Sequence, residues 1–124
     1  MRFLLDANSF LWWVTSSPRL SIAARNAISD GTNNTCVAIG SLWEIAIKRS
    51  LGKLQFPHAF ETVLRDERFD LLSITYAHLQ TLETLPLHHR DPFDRLLIAQ
   101  ALTERLPIAT ADRRFAVYGV QLLW

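Results

Sequence analysis

A chain of 124 residues, 49% hydrophobic and 20% charged, has the size and composition of one core-forming domain spanning residues 1–124, which excludes disorder and a pair of ordinary domains. Its 13 basic and 12 acidic residues leave a net charge of +1, so attraction to nucleic acid or membrane through overall charge is excluded. The single cysteine, Cys36, excludes an internal disulfide framework and fits a reducing cytoplasm, and no apolar run approaches the roughly 20 residues that span a bilayer.

In chain order, Arg2–Leu5 reads as a buried first strand ending at Asp6-Ala7-Asn8. Ser9–Val14 follows as a short helix stopped by Ser16-Ser17-Pro18. Ser21–Ser29 carries Ile22, Ala23, Ala27 and Ile28 on one face and is a second helix, closed by Asp30-Gly31. Thr35–Ile39 is the next buried strand. Ser41 and Glu44 stand in capping-box spacing and open a helix that runs to Ser50-Leu51. Pro57–Arg68 reads as a helix, Phe69–Ile74 as a strand and Thr75–Leu85 as a helix. Asp91-Pro92 places a cap and a first-turn proline ahead of a helix apolar on nearly every side, ending near Arg105. Pro107–Ala109, a short helix from Asp112 to Tyr118, and a strand over Val120–Leu123 complete the order. Alternating strands and helices with continuously apolar strands imply an α/β/α sandwich around a mostly parallel sheet.

Four acids share one edge of such a fold. Asp6 follows the first strand, Glu44 and Asp94 fall in the first turns of helices, and Asp112 follows the fourth strand. Strand carboxyl ends and helix N-termini meet at that edge, where open α/β sheets bind ligands. Each acid alone is also an ordinary cap or turn residue. Together they would repel, by roughly 4 kcal/mol for two charges 4 Å apart at intermediate dielectric, unless protons or a cation offset them. An all-oxygen set suits Mg2+ or Mn2+ rather than zinc. Arg90, Arg95, Arg113 and Arg114 flank these acids and match phosphate oxygens, although pairing with the neighbouring acids is an equal alternative. His88-His89 reads as a solvated loop, and Cys36 as a core thiol.

The segments MRFLLDAN, SLWEIAIKRSLGKL, HHRDPFDRLLIAQAL and IATADRRFAVYGV run nearly end to end in an order that resembles the PIN-domain family, specifically VapC-type toxins of toxin–antitoxin pairs. The resemblance implies a PIN-like α/β/α domain and a Mg2+-dependent endoribonuclease that cuts cellular RNA by attack of water on a phosphodiester. It implies that the family's acidic quartet maps onto Asp6, Glu44, Asp94 and Asp112 as metal ligands and catalytic groups. Thr110 matches the hydroxyl residue two positions before the fourth acid. Asp91 is an additional acid that could cap, support or ligate, with Asp94 favoured as the ligand. Ala7 and Asn8 stand where this subgroup usually carries Thr and His, a departure expected to tune the site. The alternative reading is a non-catalytic PIN-like module that binds RNA or an antitoxin.

The family also implies a small antitoxin and a homodimer. Leu11, Trp12 and Trp13, with Trp43 beside Glu44, would suit an apolar groove for an antitoxin helix. Trp43 reads more readily as core, and one of Trp12 and Trp13 should be exposed.

Overall fold

The computed structural model describes residues 1–124. Its strands are β1 (Arg2–Leu5), β2 (Asn34–Ala38), β3 (Asp70–Leu72) and β4 (Ile108–Ala109), and its helices are α1 (Ala7–Val14), α2 (Ile22–Ser29), α3 (Ile39–Ser50), α4 (Phe60–Glu67), α5 (Tyr76–Glu83) and α6 (Pro92–Glu104), followed by a 3-10 turn over Arg113–Tyr118. All strand pairs are parallel, in the order β3-β2-β1-β4. The expected α/β/α architecture is therefore present, with an entirely parallel sheet.

Side-chain alternation along the strands builds the layers. Phe3, Leu5, Val37 and Ala109 join Phe10 of α1, Ala24 of α2, Ile45 of α3 and Val63 of α4 in one apolar cluster. Leu4, Cys36, Ala38 and Ile108 join Leu97, Ile98 and Ala101 of α6 and Phe115 in the other. Both faces of the sheet are covered, which is why these strands read as unbroken apolar runs. Cys36 is fully buried, and burial raises its thiol pKa, as an inert core thiol requires.

Three local expectations are corrected. The strand over Val120–Leu123 shrinks to a single bridge, Ile108 to Leu122. Ser41-Glu44 is not a capping box, because α3 starts at Ile39 from Ala38 with no side-chain cap. Glu44 consequently sits in the second turn, and Ser41 is buried inside the helix. Trp12 and Trp13 are both half-buried, since Trp12 packs on Trp124 at 5.9 Å and the Trp13 indole N–H donates to Glu67 at 3.0 Å.

Candidate active site

The sheet order makes β1 and β4 neighbours although they begin and end the chain, and the connections diverge there. That is the switch point at which open α/β sheets leave a crevice beyond the strand carboxyl ends. Asp6 stands at the end of β1, with its N–H donating to Ala109 across the pair. Its Oδ1 accepts the Ser9 N–H at 2.8 Å and thereby caps α1, while its Oδ2 accepts the Thr110 hydroxyl at 2.6 Å. Thr110 Oγ1 in turn accepts the Asp112 N–H at 3.0 Å. One hydroxyl thus ties the first acid to the loop that carries the last.

The helix edge is built equally locally. Asp91 Oδ1 accepts the N–H groups of Phe93 and Asp94 at 2.8 and 3.1 Å, and Pro92 follows as the first helical residue. Of the roles open to Asp91, capping α6 is the one its contacts display. Asp94, one turn in, has no such main-chain partner. Glu44 reaches the same crevice from α3 and pairs with Lys48 Nζ at 2.9 Å. Gly40 allows the two helices to meet: a Cβ there would lie 3.1 Å from Leu96 Cδ2.

A cavity of about 220 Å³ results, lined by Asp6, Ala7, Asn8, Glu44, Asp91, Asp94, Asp112 and Arg114. All four acids of the quartet line it, as do the two residues that depart from the subgroup's pattern. Burial, then the charges of Asp91, Glu44 and Asp6, push the Asp94 carboxyl up to about 6 against the opposing effect of His89. Burial likewise raises Asp6, against its hydrogen bonds from Thr110 and Ser9. Asp112 goes the other way, held down to about 2 by hydrogen bonds from Arg114, whose guanidinium straddles both oxygens at 2.7–3.2 Å. Carboxylates converging on one hollow, two of them reluctant to ionise, form a site that a hard divalent cation would relieve. The donor set is oxygen, and it fits Mg2+ or Mn2+.

The four flanking arginines diverge. Arg114 and Arg90 line an adjoining hollow of about 510 Å³ with His88, His89, Asp91 and Asp94. Arg113 is exposed beside them. Arg95 is removed from the phosphate-binding set: its guanidinium donates to the carbonyls of Leu85, Pro86 and His89 at 2.9–3.2 Å and binds the 85–89 loop to α6.

Sequence reasoning missed two contributors. Ser9 is fully buried, and its hydroxyl donates to Ala109 at 2.8 Å, locking α1 onto β4. His89 is buried rather than solvated. Its Nε2 lies 3.2 Å from Asp94 Oδ2 and 3.5 Å from Asp112 Oδ2, and its Nδ1 accepts the Asp91 N–H at 3.3 Å. The Tyr118 hydroxyl accepts the His88 and His89 N–H groups at 2.9 and 2.7 Å. Only the cap spacing of Asp91 hinted at this loop's order.

Trp43, expected in the core, is 58% exposed and rests edge-on against Phe93 at 5.0 Å. Beside it runs a hollow of about 380 Å³ whose lining includes Leu42, Trp43, Phe60, Leu64 and Leu71. The apolar groove therefore involves α3 and α4, rather than Leu11, Trp12 and Trp13.

The acid-lined crevice at the switch point of a short parallel sheet defines a class, and comparison with known proteins identifies it. The PIN domain model matches residues 3–121. Ribonuclease VapC22 of Mycobacterium tuberculosis is 32% identical over 114 residues, covering 90% of this chain and 87% of that protein. The chain belongs to the PIN-domain family, in its VapC-type branch. Its fold is shared with VapBC2 from Rickettsia felis, solved with a promoter DNA fragment (TM-score 0.68, 13% identity, 98% and 97% of the two chains). FitAcB from Neisseria gonorrhoeae is similar at TM-score 0.65 and 15% identity, over 100% and 97% of the chains. A Klebsiella pneumoniae toxin–antitoxin complex matches at 0.62 and 16%, over 92% and 90%. No helix is long and apolar enough to cross a membrane.

Proposed function

We propose that this protein is a Mg2+- or Mn2+-dependent endoribonuclease, the toxin of a toxin–antitoxin pair, cutting cellular RNA in the cytoplasm. The observation that carries this reading is the convergence of Asp6, Glu44, Asp94 and Asp112 on one small cavity. The similarity to a protein named ribonuclease supports the choice of substrate class.

Asp6, Glu44, Asp94 and Asp112 would hold the cation, directly or through water. When bound, it supplies the acidity that activates water and stabilises charge on a phosphodiester. The chain's own residues do the rest. Thr110 and Ser9 fix the Asp6 carboxylate, the Asp91 cap sets the start of α6, and Arg90 and Arg113 offer cations for the flanking phosphates, while Arg114 is paired with Asp112.

A small antitoxin is the proposed partner, in keeping with the toxin–antitoxin complexes that share this fold. The α3–α4 groove suits apolar side chains of a short helix. A homodimer is proposed as the free form, testable by light scattering. Cleavage of a defined RNA with Mg2+, Mn2+ or EDTA, alongside Asp94→Asn, tests the activity. Metal-stimulated cutting lost in the variant is expected. Equal metal-independent cutting by both proteins would overturn the reading, and tight RNA binding without cleavage would favour a non-catalytic module.

A further inference from the structure

His89 stands in the quartet's company without belonging to it. Its Nε2, Asp94 and Asp112 lie close enough together, with donor atoms within 4.8 Å, to resemble a metal-binding trio. The imidazole's other nitrogen argues against that role. Nδ1 accepts the Asp91 N–H at 3.3 Å and so carries no proton. In the neutral ring the proton then resides on Nε2, which faces the two carboxylates as a donor and has no lone pair for a cation.

The ring's setting holds this arrangement. Its plane meets Phe115 edge-on at 5.8 Å, its main-chain N–H is held by the Tyr118 hydroxyl, and its carbonyl accepts from Arg95 at 3.2 Å. His89 is absent from the lining of the 220 Å³ acidic cavity and lines the adjoining hollow. It therefore meets Asp94 from the side of the adjoining hollow, whereas Asp91, Asp94 and Arg114 line both.

We propose that His89 is a positioning residue: its Nε2–H spaces Asp94 and Asp112 and fills the gap between them, so that a cation is taken up in the acidic cavity and not by the imidazole. This rests on the metal-site reading above. Groups that hydrogen-bond metal-ligating carboxylates typically influence metal affinity ten- to a hundredfold.

The test reads the imidazole nitrogens of the whole protein by 15N NMR, without and with saturating Mg2+. Nε2 protonated and Nδ1 unprotonated in both states is the expected result. A proton on Nδ1 in the metal-free protein, or conversion of Nε2 to an unprotonated, metal-bound nitrogen on adding Mg2+, would overturn the proposal. His89→Phe keeps the ring against Phe115 and deletes the donor, whereas His89→Gln restores an N–H. Mn2+ affinity measured by electron paramagnetic resonance should fall about tenfold in the Phe variant and largely return in the Gln variant. Unchanged affinity in His89→Phe would also overturn it. Failure of the metal reading is separately visible, as carboxyl 13C signals of Asp6 and Asp94 that do not move with Mg2+, and the metal-free tautomer would still decide the role of His89.

Discussion

Asp94 illustrates how a single side chain of the proposed site can set function against stability. Its carboxyl titrates near 6 in the fold and near 3.9 in an unfolded chain. Between those values the folded protein holds a proton that the unfolded one has lost, so stability falls as pH rises from about 4 to 6 and remains reduced above it. Allowing for the residue's 27% side-chain exposure, the deficit at neutral pH is about 1–2 kcal/mol. Asp94→Asn should therefore melt several degrees higher than the parent at pH 7.5 without metal, while losing cleavage, and the difference should vanish below pH 4. Equal melting curves at pH 7.5 would refute the assignment. Mn2+ affinity should rise with pH through about 6 and release protons on binding, measurable by calorimetry in buffers of different ionisation enthalpy. The sequence made Asp94 legible because it follows a cap and a proline. It left His89 illegible because that residue's order comes from Tyr118, 29 positions away.

At the scale of elements, the approach of α3 to α6 brings Glu44 and Asp94 to one crevice, and at Gly40 a Cβ would lie 3.1 Å from Leu96 Cδ2. Gly40→Val should cost about 1–3 kcal/mol in denaturant unfolding and reduce metal affinity, because branched carbons there must displace Leu96. A variant that bound Mn2+ as tightly as the parent would show that the helix spacing is not decisive. α4 ends with Arg68 in the left-handed region, at φ 57°. Arg68→Gly should gain up to about 1 kcal/mol by removing a Cβ from that conformation. Most elements were legible because caps and apolar runs coincide, as at Ser21 and at Asp91-Pro92. The start of α3 was not, because Ala38 supplies no side-chain signal and the Ser41-Glu44 pattern mimics one. The last strand was misread because Val120–Leu123 is apolar enough for a strand yet is pinned to β4 at one bridge.

For the whole molecule, near-neutral charge means that the proposed grip on RNA rests on a few residues. With Arg90 and Arg113 as the phosphate contacts and Arg114 held by Asp112, the logarithm of RNA affinity should fall against the logarithm of salt with a slope of roughly −1.4. Arg113→Ala should lessen it by about 0.7, measured with an uncleaved oligonucleotide in EDTA. A slope near zero would discard the arginine track. That the four acids would gather was foreseeable from strand and helix order. Which cations stayed free was not, because the commitment of Arg95 to three carbonyls depends on how the 85–89 loop closes.

The hydroxyl contact between Thr110 and Asp6 joins residues 104 positions apart. Synthesis runs from Asp6 toward Thr110, so β1 stays unpaired on its β4 side until the residues between them have been made. The acidic crevice cannot exist on a half-made polypeptide.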